Sequence, residues 1–323
     1  MQMQIDIELI KSRLFHLSDR KKILDDFGLG VAQGSPENFA SAILEVIGQT
    51  PQAVHCEQSL ENRHIFRAAV RALGSNARSW SAFLKREPHL KGLLHDYDPK
   101  CTHEDVIKGK LNSSKLAEDL PGQTSTRDAK AILDWSESLA GGEKYYPSLI
   151  RLRAAFQSHA EQRGWQLECD ELFLCVAAYL GDPPRNWHEP TSEYPSKAPG
   201  MRYILASEFL RNIHWNGFKP DRHVKRLLRR WVPEILERVR RGDEWQNASG
   251  AIINRNRVSD LVELVVGTRT GPRDLRDYLE FSLVGINISP PQMHLSHVDN
   301  LVWLLGRYVE KKGLETSTRY VLP

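Results

Sequence analysis

In the stretch "NGFKPDRHVKRLLRRW", residues 216–231, a single carboxylate, Asp221, stands among Lys219, Arg222, Lys225, Arg226, Arg229 and Arg230. It follows Pro220 directly. Beyond it, Val224, Leu227, Leu228 and Trp231 recur at i, i+3, i+4 and i+7, the spacing of one helix face. Every position from Arg222 to Arg230 outside that stripe is basic, counting His223 as a potential cation. A carboxylate so placed has two uses. It caps the helix by accepting from the first unpaired backbone N–H groups, or it serves as a fixed anion facing positive charge that develops in a reaction. The basic face is likewise either a solvated surface or a strip matched to a polyanion.

One helix earlier, "APGMRYILASEFLR" supplies a second feature. Pro199-Gly200 makes a tight turn, Gly200 leaves the backbone amides unobstructed, and Met201, Leu205 and Phe209 follow at four-residue spacing. Amide groups at such a turn and helix start suit a phosphate.

The elements that must position these residues are mostly helical. "SPENFASAILEVIG" opens with Ser35 as N-cap and Pro36 at the first helical position. "ENRHIFRAAVRALG" ends at Gly74 and "TRDAKAILDWSESLAGG" at Gly141, each a C-terminal cap by residue type. "PSLIRLRAAFQSHAEQRG" and "CDELFLCVAAYLG" continue the series. Near the end, "SHVDNLVWLLGRYVEKKG" places Val298, Leu301, Val302, Leu305 and Val309 on one face. Strand patterns are few; "IDIELI" is the clearest and opens a helix equally well. Irregular stretches fall at Asp96–Thr102, Leu120–Thr126, Gly181–Pro199 and Gly285–Pro291, and no repeat or low-complexity tract is present. The fold class is all-α.

The 323 residues, 41% hydrophobic and 26% charged, are enough for one large or two packed soluble domains. No apolar run has membrane-spanning length and the first residues lack signal-peptide layout, so a cytoplasmic protein with no membrane partner is expected. The net charge of +3 indicates no partner by itself. Cys56, Cys101, Cys169 and Cys175 form no CxxC pair, which suggests no zinc or iron–sulfur site; Cys169 and Cys175 read as buried thiols. No metal or other cofactor is implied.

The layout "APG–MRYILASEFLR–turn–FKPDRHVKRLL" resembles the helix–hairpin–helix superfamily of base-excision DNA glycosylases. Pro199, Gly200 and Met201 match its hairpin, Ala206 a small helix residue, and Asp221, His223, Val224 and Arg226 its aspartate segment. The match covers about thirty residues; "DNLVWLLGRYVEKKG" resembles the late helix of these folds. The chain departs from the pattern at Arg202, which replaces the second hairpin glycine. It departs also at Ile204, where lyase-type members carry a nucleophilic lysine, and in the proline-bearing "HEPTSEYPS" before the hairpin. Lys197 and Lys219 are the lysines near enough to substitute for a displaced nucleophile.

The resemblance implies a two-lobed helical fold with the active-site cleft between lobes. Residues 1–30 would be an N-terminal helical extension and 31–323 the glycosylase region, with hairpin and catalytic loop in 195–231 and C-terminal helices in 232–323. It implies monofunctional hydrolysis of the N-glycosidic bond of a base flipped out of DNA, with Asp221 as the catalytic carboxylate beside the oxocarbenium-like sugar. Gly200, Arg202, Lys219, Arg222 and Lys225 would contact phosphates, Arg226 an internal carboxylate, and Trp187, Tyr194, Tyr203 and Trp215 supply flat walls for the base. The base stays open: alkylated or oxidised purines, uracil or thymine in mismatches, or bulky bases of the kind phages install. Two other classes also stay open. One is a non-catalytic DNA-binding protein with Asp221 as cap; the other is a helical scaffold whose arginines pair with its own 41 acidic residues.

Overall fold

A computed structural model of the chain describes residues 3–16, 18, 20–30, 34–48, 60–75, 80–120, 122, 125–142, 144–183, 194–246, 250, 252–253, 256–311 and 319–323. Helices dominate it, as the sequence periodicity predicts. A short strand β1 (Gln4–Ile5) leads into α1 (Ile7–Phe15), where Asp6 accepts from Leu9 N at 2.9 Å. "IDIELI" is thus both strand and helix start. α2 (Arg20–Asp26) and α3 (Pro36–Ile47) follow. Ser35 caps α3 through Asn38 N at 3.2 Å, and Gly48, in the left-handed region at φ 69°, ends it.

α4 (Asn62–Ser75) runs through Gly74 rather than stopping there. A Cβ at Gly74 would stand 2.2 Å from the Phe83 ring, so the glycine serves close approach of α5 (Trp80–Leu93) and not termination. His95, Asp96 and Tyr97 all take left-handed φ and turn the chain into α6 (Pro99–Ile107). The irregularity expected over Asp96–Thr102 therefore gives way to helix at Pro99: proline fits the first helical position, and Asp98 caps through Cys101 N at 3.0 Å. α7 (Ser113–Ala117), α8 (Ser125–Ala140), α9 (Tyr145–Gln162), α10 (Cys169–Gly181) and α11 (Tyr203–Asn212) complete the middle of the chain. α10 is buried on all sides from Glu171 to Gly181, whereas Cys169 at its exposed start corrects the expectation of two buried thiols.

α12 (Arg222–Trp231) and α13 (Pro233–Arg241) precede a small antiparallel ribbon, β2 (Trp245–Gln246) with β3 (Ile252–Ile253). Then come α14 (Arg257–Val266), α15 (Arg273–Ile288), which continues three residues past Gly285, and α16 (Leu295–Leu304). α16 passes into a π-helical turn, Leu305–Val309, closed by Glu310 N donating to Leu305 O at 2.8 Å. The five apolar residues predicted on this face are all buried. The last strand, β4 (Val321–Leu322), pairs antiparallel with β1, Gln4 opposite Leu322 and Ile5 opposite Val321. Within the 1–30 segment that the resemblance implies as an extension, α1 packs on α3, α16 and the π-turn. No helix among the described residues is long and apolar enough to cross a membrane.

Candidate functional site

The loop between α11 and α12 is fixed by close packing. A Cβ at Gly217 would lie 2.3 Å from the Phe173 ring of α10, and a Cβ at Gly285 of α15 would lie 2.2 Å from the Phe218 ring. Gly217 and Phe218 thus lock the loop onto two helices. Trp215 N donates to Leu210 O at 3.0 Å and Asp221 N to Lys219 O at 2.8 Å, which tightens the chain around Pro220.

Asp221 is the N-cap of α12, and both capping bonds use one oxygen: Oδ1 accepts from His223 N at 2.8 Å and Val224 N at 3.0 Å. Oδ2 accepts no hydrogen bond among the described residues. Asp221 lines a cleft of about 400 Å³ walled by Trp80, Trp303 and Tyr308 together with Ile204, Leu205, Lys219, His223 and Asn300. That volume falls within the roughly 300–1,000 Å³ of small-molecule sites. Its lining is drawn from α4, α5, α11, the α11–α12 loop, α12, α16 and the π-turn. Gly306 brings the π-turn against α12, since a Cβ there would come within 3.2 Å of His223 Cβ and Leu227 Cδ1.

Behind the cleft lies a buried ionic cluster. Lys219 Nζ is 2.8 Å from Glu208 Oε2, and Arg211 reaches Glu208 at 3.4 Å and Asp299 at 2.5 Å. Arg211, fully buried, also donates to Ser296 O at 3.0 Å and Asn300 Oδ1 at 2.8 Å. Asp299 Oδ1 has no hydrogen-bond partner among the described residues. Burial pushes the Asp299 carboxyl up to about 7, against the pull of Arg211 and Lys219. Burial works against the Lys219 ammonium, but Glu208, assisted by Asp221 and Asp299, leaves its pKa above the ordinary lysine value. Burial lowers the His223 pKa; Asp221 opposes this, while Arg222 and Arg226 add to it.

Several residues singled out in the sequence stand elsewhere or are otherwise engaged. Gly200 has φ 70° and faces α8, where a Cβ would sit 2.4 Å from Ala131 Cβ; Trp135 Nε1 donates to the preceding Pro199 O at 3.2 Å. Arg202 lies in extended backbone that any residue adopts and pairs with Asp274, so the missing glycine costs the turn nothing. Lys219 is not an exposed phosphate contact but a cleft residue tied to Glu208. Lys225 lines the cleft and pairs with Asp277, with Arg229 3.8 Å from the same carboxylate. Arg222 stays exposed at the cleft. Arg226 forms no ion pair within 4 Å among the described residues; it donates to Gly306 O at 2.5 Å and Glu310 O at 2.6 Å, with Asp221 and Glu310 acting on it only through their charge.

Trp215 and Tyr203 are buried and do not line the cleft. Trp215 Nε1 reaches Tyr146 Oη at 3.4 Å, and Tyr203 stacks near Tyr278 with ring centroids 5.6 Å apart. Tyr194 packs on the core, and Trp187 lies outside the described residues. The aromatic walls are instead Trp80, Trp303 and Tyr308, and the sequence offers one signal for them: Trp303 stands off the apolar stripe of α16. Ile204, the position of the lyase lysine, lines the cleft with an aliphatic chain, while Lys197 pairs with Asp182. Among the described residues no three His, Cys, Asp or Glu side chains gather as a metal-ligand set. Compared with family models, curated proteins and solved structures, the chain finds no match.

Proposed function

We propose that this chain is a monofunctional DNA glycosylase of the helix–hairpin–helix kind, hydrolysing the N-glycosidic bond of a flipped base with Asp221 as the catalytic carboxylate. The observation that carries the proposal is the division of labour within Asp221. Oδ1 anchors the helix, and Oδ2, which accepts no hydrogen bond among the described residues, belongs to a residue that lines a cleft walled by two tryptophans and a tyrosine. A cap needs only the first oxygen. Cleavage of an N-glycosidic bond builds positive charge on the sugar, and an anion held rigidly beside it stabilises that charge and orients the attacking water. The clamped loop supplies the rigidity. In such a fold the cleft, lined by residues of α4, α5, α11, α12, α16 and the π-turn, would lie between the two lobes.

The ion pairs of Arg202, Lys225 and Arg229 are what a helical scaffold would also show. The scaffold reading needs Asp221 only as a cap; the aromatic walls of the cleft it lines favour the catalytic one. The test is incubation with duplexes carrying different modified bases, followed by alkali. Wild type should produce breaks at one class of modified base only after alkali, and Asp221→Asn should bind the same DNA without releasing base. Equal release by that variant would refute the assignment.

A further inference from the structure

Lys219 and Asp221 stand on either side of Pro220 and both line the cleft, so one tight turn presents a cation and an anion to the same space. The Lys219 side chain is 16% exposed and its ammonium is tethered 2.8 Å from Glu208, whose side chain is 3% exposed. Glu208 is in turn backed by Arg211 at 3.4 Å. An ammonium has three donors and no acceptor, and the pair with Glu208 uses one of them. Arg222 adds an exposed cation to the same cleft, while Lys225 there is paired with Asp277.

Breaking a bond between a sugar carbon and a base nitrogen separates charge in two directions, positive on the sugar and negative on the base. Asp221 answers the first. We infer that Lys219 answers the second, and that the cleft takes neutral bases which leave as anions and carry a carbonyl or ring-nitrogen acceptor, not bases already made cationic by alkylation. This rests on the base-releasing role proposed for the cleft and narrows it. The C1′–N bond breaks with its electron pair passing to the base, whose acceptor atom is held by the Lys219 ammonium. Water forms the new bond to C1′ and gives its proton to Asp221, from which it passes through solvent to the released base. The sum is one water consumed and one neutral base formed. Lys219 keeps its proton throughout, as its pairing with a buried carboxylate favours, and so makes no covalent bond to the sugar.

The experiment compares release of uracil, 8-oxoguanine and N7-methylguanine from otherwise identical duplexes. Wild type, Lys219→Met, the charge-balanced Lys219→Met/Glu208→Gln and Asp221→Asn are run together, each checked for folding by its melting curve. Wild type should release a neutral base faster than N7-methylguanine, although the cationic base is chemically the better leaving group. Both Lys219 variants should lose on the order of 100-fold on the neutral base, the usual effect of removing one donor to developing negative charge. Any release of N7-methylguanine should fall far less in them, a split that a merely structural role for Lys219 would not produce. Preference of wild type for N7-methylguanine, or equal losses on both classes, would overturn the inference while leaving the glycosylase reading intact. A borohydride-trapped adduct that disappears in Lys219→Met would overturn it by making the lysine a nucleophile. Release of no base from any duplex would overturn the glycosylase reading and this inference with it.

Discussion

Replacing Asp221 by serine separates the two uses of this residue. Serine ranks with aspartate as an N-cap, so the bonds to His223 N and Val224 N have a substitute acceptor. What the helix loses is one negative charge at its N-terminus, about 0.3–1 kcal/mol. Alanine loses the cap as well, a further 0.5–2 kcal/mol or about 1–3 kcal/mol in all. The loss in chemistry is of another size. A carboxylate about 4 Å from a full positive charge, at an effective dielectric constant of about 20, contributes about 4 kcal/mol. That corresponds to roughly a thousand-fold in rate. Urea denaturation should therefore place Asp221→Ser within about 1 kcal/mol of wild type and Asp221→Ala below both. Single-turnover base release should drop by about three orders of magnitude in both variants. A serine variant that releases base within about ten-fold of wild type would show that the carboxylate only caps.

Three further outcomes follow from the packing around the site. Gly217→Ala should cost about 1–3 kcal/mol in urea denaturation and slow base release, because its Cβ has nowhere to go against the buried Phe173 ring. Arg211→Met leaves Glu208 and Asp299 buried with Lys219 as their remaining cation; it should destabilise by about 3–5 kcal/mol, partly recovered when Asp299→Asn is added. Asp299 titrates near 7 in the folded chain and near 3.8 in the unfolded one, so the folded state binds this proton more tightly. Its stabilising contribution is complete below about pH 4 and is lost as pH rises through about 7. The stability difference between wild type and Asp299→Asn, measured by urea melts from pH 4.5 to 8, should shift against wild type across that window and level off above it. A difference independent of pH would refute this.

Local features were legible in the sequence where the physics is local. The stripe of α12, the Asp221 cap and the tight turn at Gly200 follow from residues a few positions apart, and all are present. Charge runs were not so readable. Lys219, Lys225 and Arg202 look like free cations along the chain, yet their carboxylates, Glu208, Asp277 and Asp274, sit on other helices. The cleft walls are hidden for the same reason: Trp80 and Trp303, far apart along the chain, line one cleft only once α5 and α16 are in place. Pro99 and Gly74 misled in opposite directions. A proline read as a break starts a helix, and a glycine read as a stop lets two helices touch.

The π-turn after α16 has a bearing on how the site tolerates change in chain length. Its extra residue is the register shift that sets Arg307 and Tyr308 beside Trp303 on the cleft wall while Tyr308 Oη still reaches Asp26 Oδ2 at 2.8 Å. Were the same residues to continue as an ordinary α-helix, everything beyond the turn would be rotated by about 100°. The cleft would lose its tyrosine, and Arg226 the carbonyls it now grips, although no residue that lines the site had been mutated. The wider turn therefore absorbs one residue of length and keeps the chain beyond it in phase with α16.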